Sequence, residues 1–229
     1  MTTLTGPERP AATGAADSVV VFLHGYGADG NDLIGLAEPL APYLPSTRFL
    51  APNAPERCPA NPAGYQWFPI PWLDGSPEAV ARAAAERSFA LLDRWLDDLG
   101  RQGVPADRTV LVGFSQGTMM ALHVGLRRAA PLAGIVGFSG RLLEPERLAV
   151  ELGAAPPVLL VHGDADPVVP FASLGEAAEA LAAAGVETYT HVSRGVGHGI
   201  APDGLGLALS FVRERLGIAE AGAPAPFRG

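Results

Sequence analysis

The strongest constraint on this chain is the alternation of short apolar runs with stretches of helical period. Residues 18–23 (SVVVFL), 47–51, 109–114 (TVLVGF), 132–138, 158–162 and 186–192 read as strands. Between or after them lie helical segments at 31–41, 78–99, 116–128, 171–184 and 202–216. The strand runs are almost continuously apolar rather than alternating, as expected of strands covered on both faces. Alternating β and α units imply an α/β fold: a mostly parallel central sheet with helices on both faces. In the 78–99 helix the reading puts Ala84, Leu91, Trp95 and Leu99 on the buried face, with Arg82, Glu86, Asp93 and Asp97 outside it.

A length of 229 residues suits one domain of this kind, with 1–17 and 218–229 as loose ends. The chain is long enough to bury a core without disulfides or a structural metal. Its net charge is −8, and the longest basic run is the pair Arg127–Arg128. That argues against nucleic acid or an anionic membrane as the main partner. No run nears the roughly 20 apolar residues of a membrane helix, and residues 1–17 do not read as a signal peptide. The single Cys58 permits no internal disulfide, which suits a cytoplasmic setting. Cys58 itself reads as inert.

One connection stands out. Residues 52–77 show no periodicity, are rich in proline, and carry Tyr65, Trp67, Phe68 and Trp72. Unstructured connections this long are uncommon inside compact domains and are often functional.

Gly113-Phe114-Ser115-Gln116-Gly117 fits G-x-S-x-G at a strand-to-helix junction. There a sharp turn exposes a serine hydroxyl above the sheet, and the flanking glycines let neighbouring backbone pass closely. The helix that follows directs unpaired N–H groups at the same spot, so the Gln116 N–H is a natural oxyanion donor. Ser139, in Gly137-Phe138-Ser139-Gly140-Arg141, lacks the final glycine and reads as a strand-end or pocket residue.

A serine nucleophile needs a base, and the base needs an orienting carboxylate, in the chain order Ser, Asp or Glu, His. After the strand at 158–162 two carboxylates compete. Asp166 is the preferred acid; Asp164 lies nearer the turn at Gly163 and reads as its cap. His198, among glycines just before the last helix, reads as the base. His191 and His123 fall inside elements and read as structural. His162 ends its strand and reads as a support for the acid loop. His24 opens a glycine-rich loop, His24-Gly25-Tyr26-Gly27-Ala28-Asp29-Gly30, where such a fold draws its second oxyanion donor.

Leu23–Gly30, Gly113–Gly117, His162–Pro170 and the Gly-His pair at 197–198 together resemble the phospholipase/carboxylesterase family, which includes acyl-protein thioesterases and small bacterial carboxylesterases. The resemblance spans about residues 19–216. It implies an α/β-hydrolase fold without a large cap, and a triad of Ser115, Asp166 and His198. It also implies oxyanion donors at the backbone N–H groups of Tyr26 and Gln116. Many relatives have leucine where this chain has Tyr26. Residues Tyr65–Phe68 match the family's Trp-Phe element. Tyr65, Trp67, Phe68 and Val168 are the candidate lining of the substrate pocket, with Trp72 divided between pocket and packing.

The implied activity is hydrolysis of a small-molecule ester of short to medium acyl chain through an acyl-enzyme. Thioester or lysophospholipid cleavage on the same triad is the alternative. No metal or organic cofactor is called for, since H-E-x-x-H, C-x-x-C, P-loop and dinucleotide fingerprints are all missing from the sequence. The resemblance allows a homodimer and implies no stable membrane association. An amidase, an interfacial lipase and a ligand-binding relative without catalysis are the remaining rivals.

Overall fold

The computed structural model describes residues 4–218. Its elements, in order, are β1 (Glu8–Arg9), β2 (Ser18–Leu23), α1 (Gly30–Ile34), α2 (Ala37–Leu40), β3 (Thr47–Leu50), β4 (Glu56–Cys58), β5 (Asn61–Gln66), α3 (Pro71–Asp74), α4 (Glu78–Arg101), β6 (Thr109–Phe114), α5 (Gln116–Arg127), β7 (Gly134–Phe138), α6 (Pro145–Glu151), β8 (Val158–Gly163), α7 (Ala172–Ala183), β9 (Thr188–Ser193) and α8 (Pro202–Arg215). The main sheet has seven strands in the order β1-β3-β2-β6-β7-β8-β9. Every pairing in it is parallel except β1 on β3. This is the α/β-hydrolase arrangement expected from the sequence. Among the described residues no helix is long and apolar enough to cross a membrane.

The near-continuous apolar strands have a direct explanation. Side chains alternate across a pleated strand, and both faces are covered. Val19, Val21 and Leu23 of β2 pack with α4, α5 and α7 residues such as Leu92, Met119 and Leu181. Val20 and Phe22 point the other way, into a second core with Leu33, Leu40, Phe211 and Val212 from α1, α2 and α8. Strands β6, β7 and β8 repeat the division: Leu111, Ile135 and Leu160 go to the first core, Val112, Val136 and Val161 to the second.

Four expectations are corrected. The helix predicted over 31–41 is broken into α1 and α2. Pro39 lacks an N–H, and its ring would clash with the carbonyl of Gly35 in a continuous helix. Residues 52–77 are not featureless: they form the β4–β5 hairpin and the single turn α3. The hairpin is specified by tertiary contact rather than by periodicity. A Cβ on Gly64 would lie 2.0 Å from the Gly27 carbonyl oxygen, so two backbones meet there.

The N-terminal segment, expected to be loose, is tied to the sheet. Glu8 and Arg9 pair with Leu50 and Phe49, the Asn53 and Ala51 N–H groups donate to Thr5 and Pro7, and Leu4 is buried. Of the expected loose tail, residues 219–229 lie outside the described residues. Finally, the buried stripe of α4 is centred on Ala84, Ser88, Leu92, Leu96 and Leu99, with Leu91 and Trp95 at its margin. Asp93 and Asp97 are not idle on the outer side, because both pair with the buried Arg128 at the end of α5.

The elbow between β6 and α5 depends on close backbone approach. A Cβ on Gly117 would sit 1.8 Å from the Leu23 carbonyl oxygen, and one on Gly113 would sit 2.4 Å from the Gly117 oxygen. Neither neighbour is a side chain that could move aside. Gly117→Ala is therefore expected to destabilise by about 3 kcal/mol or more. Gly175→Ala, in open space on helix α7, should instead gain up to about 1 kcal/mol. Urea unfolding of both variants measures the contrast; equal midpoints would contradict the packing argument.

Candidate active site

Ser115 sits at the tip of that elbow with φ 53° and ψ −114°. This is a left-handed conformation that a residue with a Cβ rarely adopts, and it costs about 1–3 kcal/mol. The surroundings hold it there. The Ser115 N–H donates to the Phe138 carbonyl of β7 (2.9 Å), and its own carbonyl accepts from Thr118 (3.0 Å). Ser115 is 8% exposed.

The candidate acid and base, Asp166 and His198, arrive from the ends of β8 and β9. His198 Nδ1–H donates to Asp166 Oδ2 at 2.8 Å across 32 residues of sequence. The other carboxylate oxygen, Oδ1, accepts the N–H groups of Val168 (2.8 Å) and Val169 (2.9 Å). The Asp166 side chain has no exposed surface. Burial alone would raise its pKa. The hydrogen bonds from His198, Val168 and Val169 prevail and hold it below the ordinary carboxylate value. Such a carboxylate fixes the imidazole with its free nitrogen, Nε2, outward.

The His198 ring lies 4.9 Å from the ring of Phe114, the residue before the nucleophile. His198 thus lies in the same corner as the elbow that carries Ser115. Among the described residues the His198 side chain is hydrogen-bonded to Asp166 alone; a contact between base and nucleophile often tightens only with substrate bound.

His162, fully buried, donates from Nε2 to the Val169 carbonyl (3.1 Å) and lies 3.3 Å from Asp166 Oδ2. It steadies the acid loop, as its position in the sequence suggested. Asp164 does not cap its own turn: Oδ1 accepts the Gly195 N–H at 2.6 Å. It ties the acid loop to the loop that carries the base. His191 pairs with Asp203 at 2.8 Å. Ser139 is buried at the end of β7 with φ 46°, and its hydroxyl makes no hydrogen bond among the described residues.

The Tyr26 and Gln116 N–H groups flank the elbow, and neither finds a protein acceptor among the described residues. The loop that presents Tyr26 is pinned by the hairpin: Gly27 N–H donates to the Tyr65 carbonyl (2.8 Å), and Tyr65 N–H donates to the Ala28 carbonyl (2.7 Å). Gln116, fully buried, is more than a backbone donor. Its Oε1 accepts the Trp67 N–H (2.9 Å) and its Nε2 donates to the Phe68 carbonyl (2.7 Å). His24, also buried, donates through Nδ1 to the Gly25 carbonyl (2.8 Å) and accepts the Ala54 N–H at Nε2 (3.0 Å). The side-chain roles of Gln116 and His24 escaped the sequence reading. The only signal for them was a polar residue beside glycines at a strand end.

The proposed pocket residues separate. Phe68 lines a cavity of about 720 Å³ together with Ile70, Trp72, Phe89, Met119 and Leu143. None of Ser115, Asp166 and His198 lines it; Met119, one helical turn beyond Ser115, is the lining residue nearest to them in α5. Trp67, expected on the wall, is fully buried instead. Its Nε1–H donates to the His24 carbonyl (3.0 Å) and its ring packs 5.6 Å from the His24 ring, which gives a buried indole its polar partner. Tyr65 is half-buried under the Arg57 guanidinium, 4.2 Å away, and Val168 is exposed on the acid loop; neither lines this cavity. His123 does line it, stacked on Phe89 at 3.6 Å.

The phospholipase/carboxylesterase family model matches residues 9–216. The chain belongs to that family. It is 48% identical to esterase PE8, whose crystal structure superposes with a TM-score of 0.88 over 94% of this chain and 100% of that one. It is 32% identical to acyl-protein thioesterase 1 of Neurospora crassa, covering 87% of each chain. Esterase YpfH of Escherichia coli is 27% identical over 90% of this chain and 84% of its own. These family relatives carry names for both oxygen-ester and thioester chemistry.

Two predictions follow from this geometry. Asp166→Asn should lower kcat by about 10⁴-fold, because an amide favours the wrong imidazole tautomer. Asp164→Asn keeps an acceptor for Gly195 and should cost less than about tenfold. Steady-state ester kinetics separate them; a larger loss in Asp164→Asn than in Asp166→Asn would reverse the choice of acid.

The second prediction concerns pH. His24 and His123 are held below the ordinary histidine value of 6.5, chiefly by burial. For His123 the Arg127 charge adds to this, and its pKa falls to about 3. Both folded values are depressed, so the unfolded chain binds protons first as pH drops below about 6.5. Stability should therefore fall between about pH 7 and pH 5, and His123→Phe should flatten that slope. Urea midpoints across the range would expose the opposite trend if it exists.

Proposed function

We propose that the chain is a carboxylesterase that cleaves esters of short to medium acyl chains through an acyl-enzyme on Ser115. The observation that carries this is the 2.8 Å pair of His198 and buried Asp166 beside a strained serine turn. In the reaction His198 Nε2 takes the Ser115 proton as Oγ attacks the ester carbonyl. The Tyr26 and Gln116 N–H groups receive the oxyanion, and Asp166 supports the imidazolium. His198 then gives its proton to the departing alcohol. Water, activated by the same nitrogen, releases the acid and restores Ser115.

The acyl chain would occupy the 720 Å³ cavity, whose walls at Phe68, Ile70, Met119 and Leu143 are apolar. The 48% identity to a named esterase supports the oxygen-ester reading. Thioester cleavage is the second reading, favoured by the 32% identity to acyl-protein thioesterase 1. A cytoplasmic setting is proposed on the single cysteine, Cys58, which is buried.

Hydrolysis of p-nitrophenyl esters from acetyl to dodecanoyl, by wild type and Ser115→Ala, tests the reading. The expected result is turnover on short and medium chains and a loss of at least about 10⁴-fold in the variant. Turnover confined to matched thioesters would favour the second reading. Turnover that survives the Ser115 substitution would refute both.

A further inference from the structure

The loop that offers the Tyr26 N–H to the oxyanion is joined to the cavity wall through the tyrosine side chain. Tyr26 Oη–H donates to Asp74 Oδ2 at 3.1 Å, and the same oxygen accepts the Ile70 N–H at 2.9 Å. Asp74 Oδ1 accepts the Ser76 N–H at 2.9 Å. Ile70, Pro71 and Trp72 line the cavity, and Asp74 closes the single turn α3 that carries them. One turn of helix is not stable by itself and takes its shape from such ties.

The charge states suit the link. Burial first, then the neighbouring Cys58 thiol and Asp74, push the Tyr26 phenol above its ordinary pKa, so it remains a donor. Burial would raise Asp74, but its hydrogen bonds with Ser76, Ile70 and Tyr26 hold it below the usual carboxylate value. It remains an acceptor, and a charged acceptor makes the stronger hydrogen bond.

We propose that Asp74 is a positioning residue and the Tyr26 side chain a specificity determinant: together they couple an acyl chain in the cavity to the placement of the Tyr26 oxyanion donor. A chain against Ile70 and Trp72 steadies α3, α3 fixes Asp74, and Asp74 fixes Tyr26. Binding energy from the remote part of the substrate then serves the reacting carbonyl, which raises kcat and not only affinity. An acetyl ester leaves the cavity empty and gains nothing from the link. The proposal rests on the esterase reading above and adds to it a preference for medium chains set by kcat.

The test compares p-nitrophenyl acetate and octanoate with wild type, Asp74→Ala, Tyr26→Phe and the double variant. In wild type kcat is higher for octanoate. Each single variant should lower the octanoate-to-acetate ratio of kcat by about tenfold, with KM moving less, and the double variant should lower it no further. Equal losses on both esters would overturn the proposal, because they would mark a purely structural contact.

Amide hydrogen exchange with octanoic acid supplies a readout without turnover. The acid should slow exchange at 25–28 and 70–76 in wild type, but only at 70–76 in Asp74→Ala and Tyr26→Phe. Unchanged protection of 25–28 in the variants, or none in wild type, would also overturn it. If wild type hydrolyses neither ester, the esterase reading fails, and the exchange result still decides the coupling.

Discussion

The site depends on one backbone contact, the approach of Gly117 to the Leu23 carbonyl at the end of β2. No residue larger than glycine fits, so the start of α5 lies directly against the neighbouring strand. That proximity forces the chain to reverse between Phe114 and Gln116, and Ser115 takes a left-handed conformation at the apex. The cost is offset by ties on both sides, to Phe138 of β7 and to the first turn of α5. The same contact sets the Gly25–Tyr26 loop beside Ser115, so one close approach places both the candidate nucleophile and the candidate oxyanion loop.

Buried polar groups then extend this order outward. A fully buried amide or imidazole must find partners, because each unmet group costs about 1–3 kcal/mol. Gln116 meets its needs on Trp67 and Phe68, and His24 on Gly25 and Ala54. Trp67 returns its indole N–H to the His24 carbonyl, and Ser88 of α4 donates to the Trp67 carbonyl. Residues 52–70 are thereby fastened to the elbow. The cavity wall at Phe68 and Ile70 is a consequence of that fastening, and α4 closes its other side.

The acid and base show the same economy. The Asp166 carboxylate has no exposed surface, and both its oxygens are occupied, by His198 with His162 close by on one and by two backbone N–H groups on the other. Asp164 contributes without touching the base, by holding the loop that carries it. Two neighbouring carboxylates on one loop thus divide the work, and burial tells them apart: the Asp166 side chain is enclosed and Asp164 is exposed.

Local sequence determined the β/α alternation and the elbow at Gly113–Gly117, and marked Ser115, Asp166 and His198 as the candidate triad. Each is written in a short stretch: an apolar run, a pair of glycines around a serine, a polar residue on a glycine-rich strand end. The family resemblance added Tyr26. Only the tertiary structure decided that the proline-rich stretch at 52–77 is a hairpin and a helical turn, that Trp67 packs inside while Phe68 lines the cavity, that Glu8 and Arg9 join the sheet, and that Tyr26 reaches Asp74. Those features rest on hydrogen bonds and backbone contacts between residues roughly 30 to 50 positions apart. Such contacts leave no period in the sequence, because what selects them is the partner brought near by the fold and not the neighbours along the chain.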